Sequence, residues 1–489
     1  MALDKETFFE SMEQQGLALT YQDVRLETGL SSVIAKEADL TSKFSREVGL
    51  LTPFVSAAMD TVTESNMAIA MAKMGGIGVV HAAMTIAEQR DHVRRVKFSL
   101  NGIIESPVVV TPEATIRSVL EEYGDHSFRT FPVVSPDGKL LGLMTQNDFD
   151  FCRDHQSTVE SQMTPFGEVY TAEEGIEIVE ALKIMEAVKK KTLPLLNKEG
   201  QLTGLCIFSD ISEIVYGNRS TYNLDDNQQL RVAAAVSTDK TMERVEKIQK
   251  YADAIVIDTA NGGHDFVFNA LREVKAAYPE LQVVAGNVSS GAAALALAEA
   301  GADGIKVGQG PGSICTTRPE TGIGTPQVTA VYDCVRALRQ NGHPDVPVCA
   351  DGGIVDRGDV SLAIAAGAAS VMMGNMLSAT KESPGRILTK PDGSRVKLYR
   401  GMGSASALQD NPASLARYGD DGIDVPLPEG VDDVFKPYKG TVAPILKKLD
   451  QALRKSMAYV GTHTIAEHQE DTKFVRITNA GLTESRPHD

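Results

Sequence analysis

The sequence predicts an α/β protein, a (β/α)8 TIM barrel into which a second, tandemly repeated domain is inserted. Three observations support this prediction. Short apolar runs alternate with helical stretches along most of the 489 residues, polar residues and glycines follow each run, and two similar segments interrupt the alternation between residues 96 and 217. Because a doubly wound parallel sheet has the same alternation of strands and helices, it is the structural alternative.

The apolar runs have the character of buried parallel strands. Five of them, AIVID, LQVVAG, GIKVG, VPVCAD and ASVMM, follow residue 252, and two more, PFVSAA and GGIGVV, precede the interruption. Continuous rather than alternating apolar residues mark strands that are covered on both faces. Helices are predicted at 65–74, 267–278, 291–300, 327–340 and 359–366. At least seven strands, with polar residues at their carboxyl ends, favour a barrel whose active site lies at that face.

The interruption contains one pattern twice. The segment that starts at residue 108 ends in TFPVVSPDGKLLGLMTQND, and the segment that starts at residue 169 ends in TLPLLNKEGQLTGLCIFSD, with a period of about 60 residues. A tandem repeat between two parts of a barrel indicates an inserted domain. We therefore predict that residues 1–95 and 218–489 form the barrel and that residues 96–217 form the insert.

This repeat resembles a pair of cystathionine-β-synthase (CBS) domains. The resemblance implies a regulatory module that binds adenine or guanine nucleotides between its two halves, with Thr145, Asp148 and Asp210 as contacts to nucleotide hydroxyls. The alternative is a pair of domains that binds nothing and only packs.

Composition and charge exclude several classes of protein. Lys and Arg total 48 against 65 Asp and Glu, and the net charge of −17 has the wrong sign for a protein that neutralises nucleic-acid phosphates. Five cysteines without CxxC spacing predict neither a disulfide framework nor a zinc site. The first residues, MALDKETFFE, lack the apolar core of an export signal, and the window 361–380 is diluted by Gly, Ser and Asn. We expect a cytoplasmic protein with no nucleic-acid or membrane partner.

The segment 306–327, KVGQGPGSICTTRPETGIGTPQ, is the most informative stretch for chemistry. Its glycines around Pro311 prevent a regular element and allow backbone groups to face a ligand. Cys315, a lone cysteine just after a buried strand and inside this loop, is a candidate nucleophile. The alternative, a small buried cysteine, is preferred for the other four, Cys152, Cys206, Cys334 and Cys349.

Two later strands also end in glycine loops. ADGGI contains Asp351 and Gly353, and MMGN contains Gly374 and Asn375. The amide groups of such loops can bind an anion, and the late strand-to-helix loops of barrels are the usual phosphate site. The carboxylate of Asp351, at a strand end, can accept hydrogen bonds from vicinal sugar hydroxyls. Because glycine pairs also serve tight turns, the predicted phosphate site depends on three such loops converging on one face.

Motifs along almost the whole chain resemble those of the IMP dehydrogenase family, which also contains GMP reductase. They are SAAMDTVTE (56–64), GGIGVVH (75–81), GPGSICTTR (310–318), ADGGI (350–354), YRGMGS (399–404), ARY (416–418) and FVRITNAGLTES (474–485). Their order and spacing match, CBS insert included. The resemblance implies oxidation of IMP to xanthosine 5′-monophosphate (XMP), with NAD as hydride acceptor and a potassium ion that orders the cysteine loop.

The resemblance also implies roles for individual residues. Cys315 attacks C2 of the purine, hydride leaves to the nicotinamide, and water then releases the covalent intermediate with help from Thr317, Arg417 and Tyr418. The implied substrate contacts are Met59, Ser313, Asp351, Gly353, Gly374, Asn375, Tyr399, Met402, Gly403 and Glu429. The implied cofactor contacts are Asp258, Ala260, Asn261, Asn287, Gly308 and Gly310. The implied potassium ligands are Gly310, Gly312 and Cys315, with Glu484 and Ser485 of a neighbouring subunit, and a homotetramer or octamer follows.

A polar segment rich in Gly, Pro and Asp, residues 409–429, is predicted to form a mobile flap that carries Arg417 and Tyr418. Arg417 could act as a base toward the water or could orient it. Because a guanidinium group normally stays protonated, we give these two roles equal weight.

Two departures from the family pattern keep alternatives open. Asn375 stands where the family commonly has serine, and Asn261, in DTANG, resembles the reductase branch. The first alternative activity is therefore the NADPH-dependent reduction of GMP to IMP and ammonia. The second is a catalytically silent chain that serves as a CBS nucleotide sensor. The YRGMGS motif, the Arg417–Tyr418 pair and the CBS insert favour the dehydrogenase.

Overall fold

A computed structural model describes residues 3–487 except 101, 105–106, 124–129, 218, 412–413, 416–426 and 433. The chain divides into two compact units: residues 1–97 together with 221–489, and residues 98–220. Within the described ranges, no helix has the length and apolarity needed to span a membrane.

Eight parallel strands of the first unit close into a barrel. In chain order they are β1 (Phe54–Ser56), β2 (Ile77–Val80), β3 (Ala233–Val236), β4 (Ala254–Asp258), β5 (Gln282–Val288), β6 (Gly304–Val307), β7 (Val348–Asp351) and β8 (Ser370–Met373). Each strand pairs with the next, and β8 closes the ring on β1 with Val371 opposite Phe54. The predicted (β/α)8 TIM barrel is confirmed, and the closed ring excludes a doubly wound sheet.

Helices cover the outside of the barrel. They are α1 (Ser65–Lys73), α2 (Ile86–Phe98), α3 (Thr241–Ile248), α4 (Asp265–Ala277), α5 (Gly291–Glu299), α6 (Gln327–Gln340), α7 (Gly358–Ala365) and α8 (Ala443–Val460). The five helices expected from the sequence are all present. Apolar side chains such as Val55, Ile77, Val256 and Met372 pack into one buried cluster. Helices outside and this cluster inside explain why the strands are continuous apolar runs.

The pattern of apolar runs does not reveal β3. Its sequence, AAAV, consists mainly of alanine, which is depleted in strands, and it follows the insert closely. Ala233 and Ala235 nevertheless belong to the barrel cluster, together with Val79 of β2 and Val256 of β4. Packing against larger neighbours on both sides favours small side chains at β3, and this tertiary requirement overrides strand propensity.

Shorter elements surround the barrel. The strand Val24–Leu26 pairs antiparallel with Phe474–Arg476 and so joins the two ends of the chain. A three-stranded antiparallel sheet contains Leu388–Thr389, Arg395–Tyr399 and Val434–Pro437. The remaining elements are the strand pair Ser42–Lys43 and Gly49–Leu50, the helices Lys5–Gln14, Thr317–Thr321, Ala405–Asp410, Ile465–Asp471 and Asn479–Glu484, and the 3₁₀ turns Tyr21–Asp23, Ala35–Glu37 and Arg219–Thr221.

The second unit contains two small sheets. The first sheet has the strands Phe131–Val134, Leu140–Met144 and Thr164–Pro165, with the helices Ile116–Tyr123, Gln146–Phe151 and Val159–Gln162 and the 3₁₀ turn Phe166–Glu168. The second has the strands Ala172–Glu173, Thr192–Leu196, Leu202–Ile207 and Ile103–Ile104, with the helices Ile178–Val188 and Phe208–Tyr216. Each half buries its own apolar cluster, around Phe131 in the first and Leu193 in the second.

A buried lysine and two partly buried aspartates lie where the chain leaves the barrel unit and returns to it. Lys97 Nζ is 2.7 Å from Asp225 Oδ2 and 2.7 Å from Asp253 Oδ1. Lys97 is the last residue of the barrel unit before the insert, and Asp225 follows soon after the return at Thr221. Burial raises the pKa of Asp253, although the charge of Lys97 opposes this. Removal of Lys97 would leave two carboxylates without their cation.

A buried histidine joins the helices on one side of the barrel. His468 Nε2 lies 2.8 Å from Ser361 Oγ, and its Nδ1 lies 2.9 Å from Thr462 Oγ1. Burial lowers the pKa of His468 to about 4. The imidazole is therefore neutral at pH 7, with one ring nitrogen donating and the other accepting a hydrogen bond.

Deletion of residues 98–220, with Lys97 joined to Thr221 by a short glycine–serine linker, should leave a folded barrel. The same deletion with Lys97→Met should lower the free energy of unfolding by about 3–5 kcal/mol, because Asp225 and Asp253 then lose their cation. Urea unfolding followed by circular dichroism measures the difference. Equal stability of the two proteins would show that the three charges do not stabilise the attachment.

The free energy of unfolding should fall by about 2 kcal/mol between pH 7 and pH 5 through His468 alone. Its folded pKa lies below the unfolded value, so the unfolded chain binds more protons in this window and stability is lost as the pH falls. Urea titrations at the two pH values should show this component in the wild type and its loss in His468→Gln. The control His463→Gln changes an exposed imidazole nearby and should retain it.

Candidate active site

The carboxyl ends of the barrel strands open into one pocket. Asp258 ends β4, Asn287 lies in β5, Gly308 follows β6 and Asp351 ends β7, so four neighbouring strands place polar groups at the same rim. Met59, from the loop after β1, lines the pocket from the other side of the ring. Barrels of this type carry their active sites at this face.

The pocket brings together most of the residues selected from the sequence. Its lining includes Met59, Asp258, Ala260, Asn287, Gly308, Gly310, Gly312, Cys315, Thr317, Asp351, Tyr399, Met402, Gly403 and Glu429. It also includes residues to which the sequence analysis assigned no individual role in binding or catalysis, among them Lys306 and Gln309.

Other selected residues lie beside this lining. A Cβ added to Gly374 would come 3.0 Å from Met59 Sδ and 3.1 Å from Tyr399 Oη, so Gly374 contacts two lining residues closely. Asn375 follows Gly374 but lines a second cavity, where its carbonyl accepts a 2.7 Å hydrogen bond from Lys439 Nζ. Asn261 accepts a 3.1 Å hydrogen bond from the backbone of Gly263 and so participates in a local turn.

The remaining selected residues are away from the pocket or not described. Glu484 and Ser485 are exposed at the end of the helix Asn479–Glu484, outside this chain's own pocket. Thr145, Asp148 and Asp210 belong to the second unit. Arg417 and Tyr418 lie outside the described residues.

Cys315 differs from the other cysteines in its surroundings. It is half-buried at the pocket, whereas Cys152, Cys206, Cys334 and Cys349 are buried. Burial raises the pKa of the Cys206 thiol to about 11 and that of Cys349 to about 12, and it also raises the pKa of Cys334. These three thiols are protonated and unreactive at neutral pH, because the thiolate is the nucleophile. Exposure and position therefore favour Cys315.

The Cys315 thiol contacts a hydroxyl group that is in turn hydrogen-bonded to a carboxylate. Cys315 Sγ lies 3.1 Å from Thr317 Oγ1, and this hydroxyl donates a 2.6 Å hydrogen bond to Glu429 Oε2. The sequence had indicated Glu429 only as a contact to the base edge, so its bond to Thr317 is an addition from the structure. The three groups form a path along which a proton can move between the pocket and a carboxylate.

Backbone pairing holds Glu429 against the cysteine loop. The amide of Thr316 donates a 3.0 Å hydrogen bond to the Glu429 carbonyl, and the amide of Val431 donates a 2.9 Å bond to the Ile314 carbonyl. Cys315 and Gly430 form an antiparallel bridge between these bonds. Cys315 and the Glu429 carboxylate are therefore carried by two paired stretches of backbone.

Arg400 forms ion pairs with two aspartates near the pocket. Its Nε and Nη2 donate to Asp60 Oδ2 at 2.9 and 2.7 Å, and its Nη1 donates to Asp410 Oδ2 at 2.8 Å. Asp60 follows Met59 in the β1 loop, and Asp410 ends the helix Ala405–Asp410. Arg400 thus connects the first residues of the predicted flap, which belong to the helix Ala405–Asp410, to a loop of the pocket.

A buried cation lies beneath the pocket. Lys306 Nζ is 2.7 Å from Asp258 Oδ1 and 2.6 Å from Asp351 Oδ2, and it also donates to Asn287 Oδ1. The side chain of Lys306 is 1% exposed. A lysine inside the apolar run GIKV is the signal that could have identified it from the sequence, because lysine is almost never fully buried unless paired.

The predicted phosphate side consists of glycines and hydroxyls. Gly352 and Gly353 have φ values of +91° and +81°, which L side chains rarely adopt, so this turn requires glycine. Tyr399 hydrogen-bonds with Ser313, and burial raises the pKa of Tyr399 to about 12 even though this bond opposes the shift. Its phenol is neutral at pH 7 and can donate to an anion.

Carbonyl groups dominate the loop in which a cation is predicted. Gly310 has a φ of +81°, and Arg318 braces the loop by donating to the carbonyls of Gln309 at 3.0 Å and Thr325 at 2.7 Å. Within the described ranges, no three His, Cys, Asp or Glu side chains are arranged to hold a metal ion. The donors available here are neutral carbonyl oxygens, which suit a hard cation rather than zinc.

Comparisons with known proteins extend over almost the whole chain. Residues 18–488 match the family model described as IMP dehydrogenase / GMP reductase domain. The curated inosine-5′-monophosphate dehydrogenase of Aquifex aeolicus (strain VF5) is 42% identical over 476 residues, 96% of this chain and 95% of that protein. That of Bacillus subtilis (strain 168) is 40% identical over 475 residues, again 96% and 95%. A solved structure, a cysteine-to-alanine GMP reductase variant from Trypanosoma brucei in complex with guanosine 5′-monophosphate, has a TM-score of 0.75 and 38% identity, covering 98% of this chain and 99% of that chain.

Iodoacetamide should alkylate Cys315 before any other cysteine, because its thiol is half-buried at the pocket and the others are buried. Peptide mapping by mass spectrometry over a time course measures the order. Cys315→Ala is the control and should lose the fast phase while the slow labelling of the other cysteines continues. Equal rates at Cys152 or Cys334 would contradict the assignment of the nucleophile.

Proposed function

The chain belongs to the IMP dehydrogenase / GMP reductase family, and from this membership we propose that it oxidises IMP to XMP with NAD as hydride acceptor. The observation that carries the proposal is the connected set Cys315, Thr317 and Glu429 in one pocket with the Asp351 carboxylate. A nucleophile, a proton path and a sugar-binding carboxylate are the groups that a two-step oxidation of a nucleotide needs. Identities of 42% and 40% to curated IMP dehydrogenases support this member of the family.

The substrate would lie with its phosphate toward the glycine turn. Amide groups of Gly353 and Gly374, with the side chains of Ser313, Asn375 and Tyr399, would bind the phosphate. The carboxylate of Asp351 would accept hydrogen bonds from the ribose hydroxyls, while Met59, Met402 and Gly403 would contact the base. These assignments rest on the family resemblance and are supported by the lining of one pocket by Met59, Asp351, Tyr399, Met402 and Gly403.

The first chemical step would form a bond between Cys315 Sγ and C2 of the purine. The thiol proton has a path through the hydroxyl of Thr317 to Glu429. The hydrogen on C2 then leaves with its electron pair, for which NAD, when bound, is the acceptor. The residues proposed to hold the nicotinamide side are Asp258, Ala260, Asn261, Asn287, Gly308 and Gly310, of which all except Asn261 line the pocket with Cys315.

The second step would hydrolyse the bond between Cys315 and the purine. Glu429 would first release the thiol proton to solvent. A water molecule then adds to C2, with one of its protons passing to the neighbouring ring nitrogen and the other through Thr317 to Glu429. The sulfur leaves and takes up the proton held by Glu429, so the thiol is restored as the purine becomes XMP. Arg417 and Tyr418 are proposed to orient this water. The sum is IMP, NAD⁺ and water giving XMP, NADH and one proton, so atoms and electrons balance.

We propose a potassium ion at the cysteine loop, with the carbonyls of Gly310, Gly312 and Cys315 as ligands. The loop fits such an ion because its donors are neutral oxygens on a glycine-rich backbone. Glu484 and Ser485 of a neighbouring subunit would complete the shell, and their exposure at the end of a helix is compatible with a contact between copies. A homotetramer or octamer follows from this proposal. The ion, when bound, would order the loop.

The insert would bind adenine or guanine nucleotides and regulate the barrel. Thr145 and Asp148 lie together at the start of the helix Gln146–Phe151, where Asp148 Oδ2 accepts hydrogen bonds from the Thr145 amide at 2.6 Å and hydroxyl at 2.8 Å. This capping box keeps the two side chains together at the start of the helix, and we propose that Thr145 and Asp148, with Asp210 in the second half, contact the nucleotide hydroxyls. We also propose a cytoplasmic location, since all five cysteines are unpaired.

A second candidate is the reduction of GMP to IMP and ammonia with NADPH. It is favoured by the similarity to the Trypanosoma brucei GMP reductase structure and by Asn261. The pair Thr317 and Glu429 can serve either reaction, because it can take a proton from water or give one to leaving ammonia. The catalytically silent sensor is disfavoured, since a sensor has no use for a nucleophile connected to a proton path.

Absorbance of the reduced nicotinamide separates the three readings. We expect NADH to form from IMP and NAD, with no consumption of NADPH in the presence of GMP. In Arg417→Ala, one hydride per active site should still transfer, so a burst of NADH equal to the enzyme present should precede a steady rate that is about 10²–10⁴-fold lower. The burst is measured by stopped flow, with Lys381→Ala as a control outside the proposed site.

The opposite pattern would overturn the proposal. Wild-type protein inert toward IMP with NAD but active on GMP with NADPH, with no effect of Arg417→Ala, would identify a reductase. A protein inert in both assays that still binds nucleotides through residues 98–220 would identify the sensor.

A further inference from the structure

The buried ammonium of Lys306 is connected to both halves of the pocket. Asp258, Asn287, Lys306 and Asp351 come from the four consecutive strands β4 to β7. Asn287 Nδ2 donates to the Gly308 carbonyl at 2.7 Å and to Asp351 Oδ2 at 2.9 Å. With the ion pairs from Lys306 to Asp258 and Asp351, these bonds form one network from the proposed cofactor side to the proposed ribose side.

The environment of Lys306 excludes proton transfer and nucleophilic attack by its amine. Its ammonium group donates hydrogen bonds to Asn287 and Asp351 and forms an ion pair with Asp258, and its side chain is 1% exposed. An ammonium group surrounded by three such partners and almost fully buried holds its neighbours in place rather than reacting. Two carboxylates at the bottom of one pocket would otherwise repel each other and favour protonation of one of them.

One oxygen atom of the Asp351 carboxylate can still contact a ligand. Both of its side-chain hydrogen bonds among the described residues, from Lys306 and Asn287, end on Oδ2. The carboxylate is thereby held with Oδ1 outside these two bonds. Its side chain is 18% exposed, compared with 7% for Asp258 and 1% for Lys306, so Asp351 is the member of the network closest to the pocket opening.

We propose that Lys306 is a positioning residue shared by substrate and dinucleotide: one buried cation holds the ribose-binding carboxylate of Asp351 and the nicotinamide-side groups Asp258 and Asn287 in their binding orientations. This inference rests on the proposed function for the identity of the two ligands. It explains why a lysine occupies the apolar strand β6. It also means that a single substitution at residue 306 impairs two binding events, whereas a substitution of either aspartate impairs mainly one.

The test compares Michaelis constants for IMP and NAD in single variants. Lys306→Gln should raise both constants by about tenfold or more, the size expected when a charged hydrogen bond is removed. Asp351→Asn should raise mainly the constant for IMP, and Asp258→Asn mainly that for NAD. The matched control is Lys275→Gln, which removes a lysine paired with Asp303 at 2.9 Å outside the pocket lining and should leave both constants within about twofold. A change in only one constant for Lys306→Gln, or in neither, would overturn the proposal.

A second pair of variants covers the case in which Lys306→Gln does not fold. The double variant Lys306→Gln with Asp258→Asn removes one cation and one anion together, so the buried charge is balanced. Compared with Asp258→Asn alone, it should show a higher Michaelis constant for IMP, because Lys306 also holds Asp351. Equal constants for IMP in these two proteins would overturn the proposal.

Failure of the proposed reaction can be distinguished from failure of the Lys306 proposal. If the wild type acts on GMP with NADPH instead, the same variants are measured with that pair. The requirement is then unchanged: Lys306→Gln must raise the Michaelis constants of both nucleotide and dinucleotide, and Lys275→Gln neither.

Discussion

Closure of a purely parallel sheet is the constraint on which the rest of the molecule depends. Because all eight strands run in the same direction, their carboxyl ends meet at one rim, and every loop that follows a strand begins there. The cysteine loop after β6, the glycine turn after β7 and the Met59 loop after β1 are therefore neighbours, although residues 59 and 315 are far apart in the chain. The chemistry of the pocket follows from this geometry.

Two lysines of the barrel unit each neutralise a pair of aspartates. Lys306 lies among the acidic groups of the pocket, and Lys97 lies between Asp225 and Asp253 at the attachment of the insert. In each case one cation pairs with two carboxylates, so loss of that cation leaves both carboxylates without a neutralising positive charge. The two groups differ in location: Asp258 and Asp351 line the pocket, whereas Asp225 and Asp253 lie outside its lining.

Local patterns in the sequence predict the elements but not their long-range partners. Helix α6 begins and ends at the predicted residues, 327 and 340, because a regular apolar period is a local property. Cys315 can be selected because it is alone in a glycine loop. The sequence pattern does not reveal β3, because packing within the barrel, and not strand propensity, explains its alanines. The bond between Thr317 and Glu429 spans 112 residues, and Lys306 faces two acids and an amide from three other strands, so neither contact is visible before the chain is folded.

The anchoring of residues 411–428 at both ends has a kinetic meaning. On one side Asp410 is bound to Arg400, and on the other Glu429 to Val431 are paired with the cysteine loop. Arg417 and Tyr418 lie in the chain between these two anchors, so the water-orienting role proposed for them would be intramolecular. A group that belongs to the same chain as its target and lies close to it in sequence has an effective concentration of roughly millimolar, whatever the amount of enzyme in solution. An arginine supplied by a separate protein would reach that concentration only in a highly concentrated mixture.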